Sequence, residues 1–473
     1  RIDSLYALRE LHAQFGHLQE VIIQNFVPKR DTIMSDTPAP AFEELLWTIA
    51  MARQIFGSAM SIQAPPNLNP GRLQQLVKAG INDWGGVSPI TPDHVNPEAP
   101  WPHLERLARE TEGEGKVLTE RLTVYPAYMR QLDTWVAEGL RPAVVQASDA
   151  EGFARASAWS PGDRDAVLPQ ALLHRLGSTS ALHPTSRTEA LCARASQGDA
   201  LDEPEIAKLF TARGDDLVAV VRAANALRRE VNGDEVTYVV NRNINYTNIC
   251  TFRCGFCAFS KGKMSENLRG KPYDLKLEEI VLRTKEAWER GATEVCLQGG
   301  IHPNYTGQTY LDICTAIKTA VPDMHIHAFS PLEIWQGAQT LGLSVAEFLR
   351  RLRAAGLDTL PGTAAEILDD EVRSLICPDK LNTEEWLSVM RDAHEVGFRT
   401  TATMMYGHLE KPKHLARHFL RLRELQKQTS RTGRSGVFTE FVPLPFVHME
   451  TPIFLKGKAR KGPTFREAVL VHA

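Results

Sequence analysis

Cys250, Cys254 and Cys257 lie inside the stretch CTFRCGFCAF, with three residues between the first pair and two between the second. A structural zinc takes four protein ligands in a tetrahedron, and this stretch offers three. Iron–sulfur clusters are held by cysteine thiolates, and closely spaced cysteines let one loop wrap a cluster. Three thiolates on a four-iron cube leave one iron open, and an open metal position is what catalysis needs. Phe252, Phe256 and Phe259 can shield such a cluster, and burial helps set its reduction potential. The competing reading is a zinc site that recruits a histidine such as His302. Cys192, Cys296, Cys314 and Cys377 are scattered and read as reduced core thiols. The whole pattern suits a reducing compartment.

The elements that must position these residues alternate. VTYVVNRNINY reads as a strand, Leu277 to Arg290 as a helix with one apolar face, and EVCLQGG as the next strand. GQTYLDICTAIKTA (helix), MHIHAFS (strand), SVAEFLRRLRAAG (helix) and LDTLPG (strand) follow. Then come NTEEWLSVMRDAHEVG, RTTATMMYG, HLARHFLRLRELQKQ and VFTEFVPLPF. Strands alternating with helices mean a parallel sheet with crossover helices, closing as a barrel or partial barrel. The cysteines follow the first of these strands directly, at the end of the sheet where parallel α/β folds carry their chemistry.

The N-terminal part has the same grammar. LQEVIIQNF, MSIQAPPN and INDWGG read as strands; FEELLWTIAMARQIFG, LQQLVKAG and WPHLERLARET read as helices. LQEVIIQNFVPK near the start resembles VFTEFVPLPF near the end, which suggests a window cut from two barrels; one circularly permuted barrel is the alternative. The expected division is residues 1–130 as the end of a first module, 131–198 as a linker rich in turn signals, 199–235 as a helical lead-in, and 236–473 as a second barrel. The fold class expected is α/β: two partial TIM-type barrels joined by a helical linker, each truncated.

Cys250, Cys254 and Cys257, with Phe256 just before the last, match the CxxxCxxC signature of radical S-adenosylmethionine enzymes. The wider text NRNINYTNICTFRCGFCAF, LQGGIHP, HAFSPLEI, LPGTAAEIL, MMYGH and EFVPLPF resembles the second module of the 7,8-didemethyl-8-hydroxy-5-deazariboflavin (FO) synthase family. QEVIIQNFVPK, LLWTIAMARQIFG, SIQAPPNL and AGINDWGGVSPITPDHVNPEAPWP resemble the end of its first module. The resemblance implies a 4Fe–4S cluster on the three cysteines, with S-adenosyl-L-methionine chelated at the open iron and cleaved to a 5′-deoxyadenosyl radical. It implies tyrosine and 5-amino-6-(D-ribitylamino)uracil as substrates coupled in the second module, ring closure with ammonia loss in the first, and a deazaflavin product that is the precursor of coenzyme F420. A flavodoxin or ferredoxin is the implied reductant. The first module's cysteine loop is expected upstream of Arg1 and the closing strands beyond Ala473, so the stretch itself is not expected to be fully active. Menaquinone-pathway radical enzymes share the second module's look, but they are single-module, and the INDWGG region in front argues against them. A zinc-stabilised protein without enzymatic activity is the reading from a different class.

The same resemblance points to Gln298 and the glycine pair Gly299 and Gly300 as cosubstrate-binding after the second strand, where glycine lets backbone approach closely. Glu366 is expected to hold the cosubstrate's ribose or ammonium and to act in catalysis; the plain reading is a carboxylate near a helix start. Tyr406 and His408 are expected to line the pocket, with His408 as a proton carrier or simply a loop histidine. Asn243, Asn245, Tyr246 and Asn248 face substrate or cap a turn. His325 and His327 share one strand face as substrate contacts or core histidines. Asp83, beside Trp84 and Gly85–Gly86, is a candidate for the first module's substrate. Arg350, Arg351 and Arg353 read as a solvated helix face. The formal net charge of −3 argues against nucleic acid or an anionic membrane as main partner. No apolar run reaches the length of a membrane span, and a cytoplasmic location is expected.

Overall fold

A computed structural model describes residues 1–88, 90–259, 271–430 and 436–473; Pro89, inside one family-like stretch, lies outside the described residues. The chain divides into two units, one of residues 1–120 with 183–185 and one of residues 121–182 with 186–473.

In the first unit β1 (Glu20–Ile22) pairs in parallel with β2 (Ser61–Gln63). The third expected strand, INDWGG, is reduced to a single parallel bridge between Gln63 and Asp83. Helices Ile2–Phe15, Phe42–Phe56, Leu73–Ala79 and Leu104–Glu112 bury Leu45, Ile49, Leu76 and Leu107 around Ile62. This is a two-stranded core with helices; of the two partial barrels expected, one extended parallel sheet is present among the described residues and the second is not clearly shown.

That sheet lies in the second unit. Its six strands are β3 (Asn241–Asn245), β4 (Glu294–Gln298), β5 (His325–Ala328), β6 (Thr359–Leu360), β7 (Arg399–Tyr406) and β8 (Phe438–Pro445). They run in parallel in chain order, a half-barrel. Ile244, Val295, Leu297, Ile326 and Leu360 point to the helix layer and are fully buried with Ile280, Tyr310, Ile317 and Phe348. The alternate positions Asn243, Asn245, Cys296, Gln298 and His327 share the other, more open face, since successive side chains point opposite ways. Local rules set several helix starts. Ser330, Asn382 and Thr464 each open a helix with Glu333, Glu385 and Glu467 closing the reciprocal cap.

Most of the stretch expected as a linker, all but residues 183–185, belongs to the second unit. Asp149 and Glu151 take ion pairs from Arg213 (2.6 and 2.7 Å) and Arg466 (3.3 and 3.0 Å). Arg155 donates to the carbonyls of Gly462 and Pro463. The first strand also starts late. Val236, Tyr238 and Val239 are exposed, because the pairing with β4 begins only at Asn241.

Two fully enclosed histidines make this unit acid-sensitive. His394 shares a hydrogen bond with Thr400 Oγ1 (2.7 Å), and His418 Nδ1 accepts from Leu368 N–H. Burial lowers His394 to about 4 and His418 to about 3, the latter with help from Arg373 and Arg421. The unfolded chain takes up these protons near 6.5, the folded chain only far below. Stability is therefore full above about pH 6.5 and is lost as pH falls toward 4. At pH 4.5 the two histidines together cost about 5 kcal/mol relative to pH 7.5. Urea unfolding at the two pH values measures this, and His394→Gln should flatten the dependence; an unchanged slope in that variant contradicts the assignment.

Candidate active site: the cysteine loop and its supports

The loop from Cys250 to Cys257 leaves the carboxyl end of β3, and backbone hydrogen bonds pin it from three directions. Thr251 N–H donates to Ile301 O (2.9 Å) and Gly300 N–H to Thr247 O (2.9 Å), tying it to the turn after β4. Gly255 N–H donates to Ile376 O (2.7 Å), and Arg253 N–H to Asp379 Oδ2 (2.8 Å). Ile453 N–H donates to Gly255 O (2.8 Å) from beyond β8. Ile301 N–H also points at Cys250 Sγ (3.4 Å), a bond of the kind that tunes cluster potentials.

The donor set fits an iron–sulfur cluster. None of the three cysteines is in a disulfide and all are partly buried, in one loop, with Phe252 and Phe256 packed beside them. Phe259 is exposed, so it does not join the shield expected of it. Among the described residues, the group whose ligand atoms all lie within 4.8 Å is Asp369, Glu371 and His414; the three cysteines do not form one. A single tetrahedral zinc would draw sulfurs to within about 4 Å of each other, whereas a cluster spreads them further. His302, the expected zinc partner, accepts from Asn304 N–H and packs on Tyr305. Asp369 and Glu371 are paired with Arg417, which leaves that group already neutralised. Burial pushes the Cys254 thiol up to about 12, against the pull of the Lys380 ammonium; a bound metal deprotonates such a thiol outright.

Gly299 and Gly300 sit at the carboxyl end of β4, and both positions are sterically closed. A Cβ on Gly300 would strike the Ile249 carbonyl and press on Cys250; one on Gly299 would strike the Tyr246 ring. The pair thus lets the cysteine loop close on the sheet. Beneath it Glu333, buried, receives Gly299 N–H (3.2 Å), the Tyr246 hydroxyl, and the N–H and hydroxyl of Ser330 (2.7 and 2.5 Å). Burial raises the Glu333 carboxyl and those four donors oppose it. Glu333 and Tyr246 were not read as supports of the glycine pair from sequence. The signal was the S-x-x-E box at Ser330, which fixes Glu333 at a helix start. Gln298 lies on the open sheet face with its amide near Cys296 Sγ (3.6 Å).

Glu366 follows β6 in a loop with two left-handed residues, Ala364 (φ 63°) and Glu366 itself (φ 48°), a conformation that non-glycine residues adopt at a cost. Met405 N–H donates to its carbonyl (2.6 Å). Its carboxylate pairs with Lys380 Nζ at 2.9 Å, both side chains largely buried. Lys380 also lies over the Phe256 ring, 5.2 Å from its centre. Arg373, buried, clamps this arrangement by donating to the carbonyls of Ala365 and Leu381. The structure thus brings Phe256 and Glu366 to the cysteines; Lys380 and Arg373 had no motif to announce them.

Tyr406 ends β7 and His408 follows it, with Tyr406 in the same apolar cluster that Cys254 and Phe256 pack against. Tyr406 alternates with Met405 on β7, points to the helix layer, and meets Phe210, Leu415 and Val471 around a small cavity. Burial raises its phenol. His408 is fully enclosed and both ring nitrogens are used: Nδ1 accepts from Leu409 N–H (2.7 Å) and Nε2 faces Met405 O (3.2 Å). Burial lowers it, against Glu410. No free nitrogen remains for proton transfer. His325 and His327 both bond Thr359 Oγ1 (2.9 and 2.7 Å) on the open face. Asn248 Oδ1 accepts from Tyr273 N–H (2.9 Å), a turn cap.

Residues 244–422 match the Radical SAM superfamily. FO synthase of Mycobacterium tuberculosis (strain CDC 1551 / Oshkosh) is 44% identical over 512 residues, covering 100% of this chain and 59% of its own length. FO synthase of Streptomyces coelicolor is 42% identical, covering 99% and 57%. The 5-amino-6-(D-ribitylamino)uracil–L-tyrosine 4-hydroxyphenyl transferase of Methanothermobacter thermautotrophicus is 47% identical over 278 residues, covering 58% of this chain and 73% of that protein. The chain spans less than two thirds of the FO synthases it matches. No helix among the described residues is long and apolar enough to cross a membrane. The chain belongs to the radical SAM superfamily, whose members work with a 4Fe–4S cluster and S-adenosylmethionine, and within it to the family of that 4-hydroxyphenyl transferase.

Proposed function

We propose that the second unit couples tyrosine to 5-amino-6-(D-ribitylamino)uracil, and that the whole protein is an FO synthase whose other module closes the deazaflavin ring on the way to coenzyme F420. The observation that carries this reading is the 47% identity to the transferase, in a chain that also aligns along its full length with FO synthases. When bound, the cluster and S-adenosylmethionine supply a carbon-centred radical that takes hydrogen from tyrosine.

The chain's own residues have separate tasks in this reading. Cys250, Cys254 and Cys257 hold the cluster; Phe252 and Phe256 keep water from it. The backbone at Gly299 and Gly300, held by Glu333, receives the cosubstrate's methionine end. Glu366 receives its ribose hydroxyls or ammonium. Asn243, Asn245, Gln298 and His327 on the open sheet face offer amide and imidazole groups suited to the polar uracil and its ribityl chain. Asp83 and the Gly85–Gly86 turn of the first unit remain candidates for the ring-closing module, and a flavodoxin- or ferredoxin-type protein is the proposed electron source.

The test is anaerobic reconstitution, reduction, and assay of 5′-deoxyadenosine with tyrosine present and absent. Tyrosine-stimulated release, with a product that retains the diaminouracil, is expected. A loaded cluster that cleaves the cosubstrate with no response to tyrosine would sink the substrate assignment.

A further inference from the structure

We infer that Lys380 is a positioning residue that supplies a fixed positive charge to the cluster site, holding Glu366 and raising the cluster's reduction potential. Three observations meet at this residue. Its Nζ contacts Glu366 Oε1 at 2.9 Å, with 12% and 13% of the two side chains exposed. It lies 5.2 Å from the centre of the Phe256 ring, and Phe256 stands between Cys254 and Cys257 in the loop. The residues just before Lys380 strap the loop, through Ile376 O to Gly255 and Asp379 to Arg253. The ammonium is therefore carried into place by the segment that holds the ligand loop.

A buried ion pair is a poor device for stability alone, because desolvating both charges offsets their attraction. Burial works against the Lys380 charge, yet Glu366 and the neighbouring thiols hold its ionisation above the usual lysine range. A permanent cation beside a thiolate-ligated cluster favours the reduced, more negative state, since net charge nearby is one of the protein's controls on such potentials. Charge interactions weaken less where water is excluded, and the Lys380 side chain is largely buried. Glu366 acts with the opposite sign, and its geometry depends on Lys380 together with the Arg373 clamp on the loop.

This inference rests on the cysteine-held cluster proposed above, and the two fail differently. Wild-type chain that takes up no iron after anaerobic reconstitution would remove the cluster reading itself. For Lys380, the measurement is the midpoint potential of the reconstituted full chain by EPR-monitored titration, with iron and sulfide assayed in each sample. Lys380→Met is expected to shift the midpoint negative, Lys380→Arg to leave it close to wild type, and Glu366→Gln to shift it positive. If Lys380→Met fails to load iron, the sign in Glu366→Gln decides. Wild-type midpoints in the iron-replete Lys380→Met and Glu366→Gln proteins, or shifts of the same sign in both, overturn the inference.

Discussion

Cys254→Ala protein is expected to fold and to hold no stable 4Fe–4S cluster. The loop's shape does not depend on that side chain. It is fixed by backbone groups: Gly255 to Ile376 and Ile453, Arg253 to Asp379, Thr251 to Ile301. Removing one of three thiolates leaves two, too few to hold a cube that already has one open iron. Iron and sulfide content should drop to background after reconstitution, absorbance near 400 nm should vanish, and cosubstrate cleavage should fall by more than a hundredfold. Far-UV dichroism should match wild type. Full iron and intact cleavage in this variant would take the assignment away.

Arg460→Leu is expected to cost about 3–5 kcal/mol of stability, the usual effect of stripping one partner from a buried charge set. Arg460 Nη1 reaches Glu467 Oε1 and Oε2 (2.9 and 3.0 Å), and Nη2 reaches Glu410 Oε1 (3.0 Å). All three residues are buried. Glu410 also holds the turn after β7 by accepting from Gly407 and His408 N–H (2.6 and 2.8 Å). Glu467 takes Ala150 N–H (2.7 Å) and caps the helix Phe465–His472. Without the guanidinium, two carboxylates face each other in a dry site. Burial alone would raise Glu467, but Arg460 and Arg466 hold it down to about 2, so the wild-type network survives mild acid. Denaturant unfolding of the variant at pH 7 checks the magnitude; a loss below 1 kcal/mol would mean the site is wetter than drawn.

The strands from Asn241 to Pro445 were legible because short runs with buried positions such as Ile244, Val295 and Ile326 alternate with amphipathic helices. The cysteine loop was legible because spacing and aromatic context are local. Lys380 was not, since its importance comes from a fold that brings residue 380 to residue 254, and no period or spacing encodes that. Tyr406 shows the limit of phase: being one residue past Met405 on β7 turns it to the helix layer, and sequence shows the alternation without saying which face is open. The expected linker failed for a related reason. Its turn signals are genuine, but Asp149, Glu151 and Arg155 are anchored by arginines and carbonyls more than sixty residues away or near the far end of the chain. In the first unit INDWGG reads as a strand, yet its pairing amounts to the Gln63–Asp83 bridge beside the Asn82–Ile62 hydrogen bonds.

The hydrogen bond from Ile453 to Gly255 sets an order of events during synthesis. At ordinary translation speeds the ribosome needs roughly 10–40 s to travel from residue 255 to residue 453. During that interval the three cysteines exist in a nascent chain whose loop has lost neither its freedom nor its exposure. Contacts this distant in sequence form late. A loop finished in this way can take up its cluster only after residue 453 has been made, and until then the three thiols are open to oxidation.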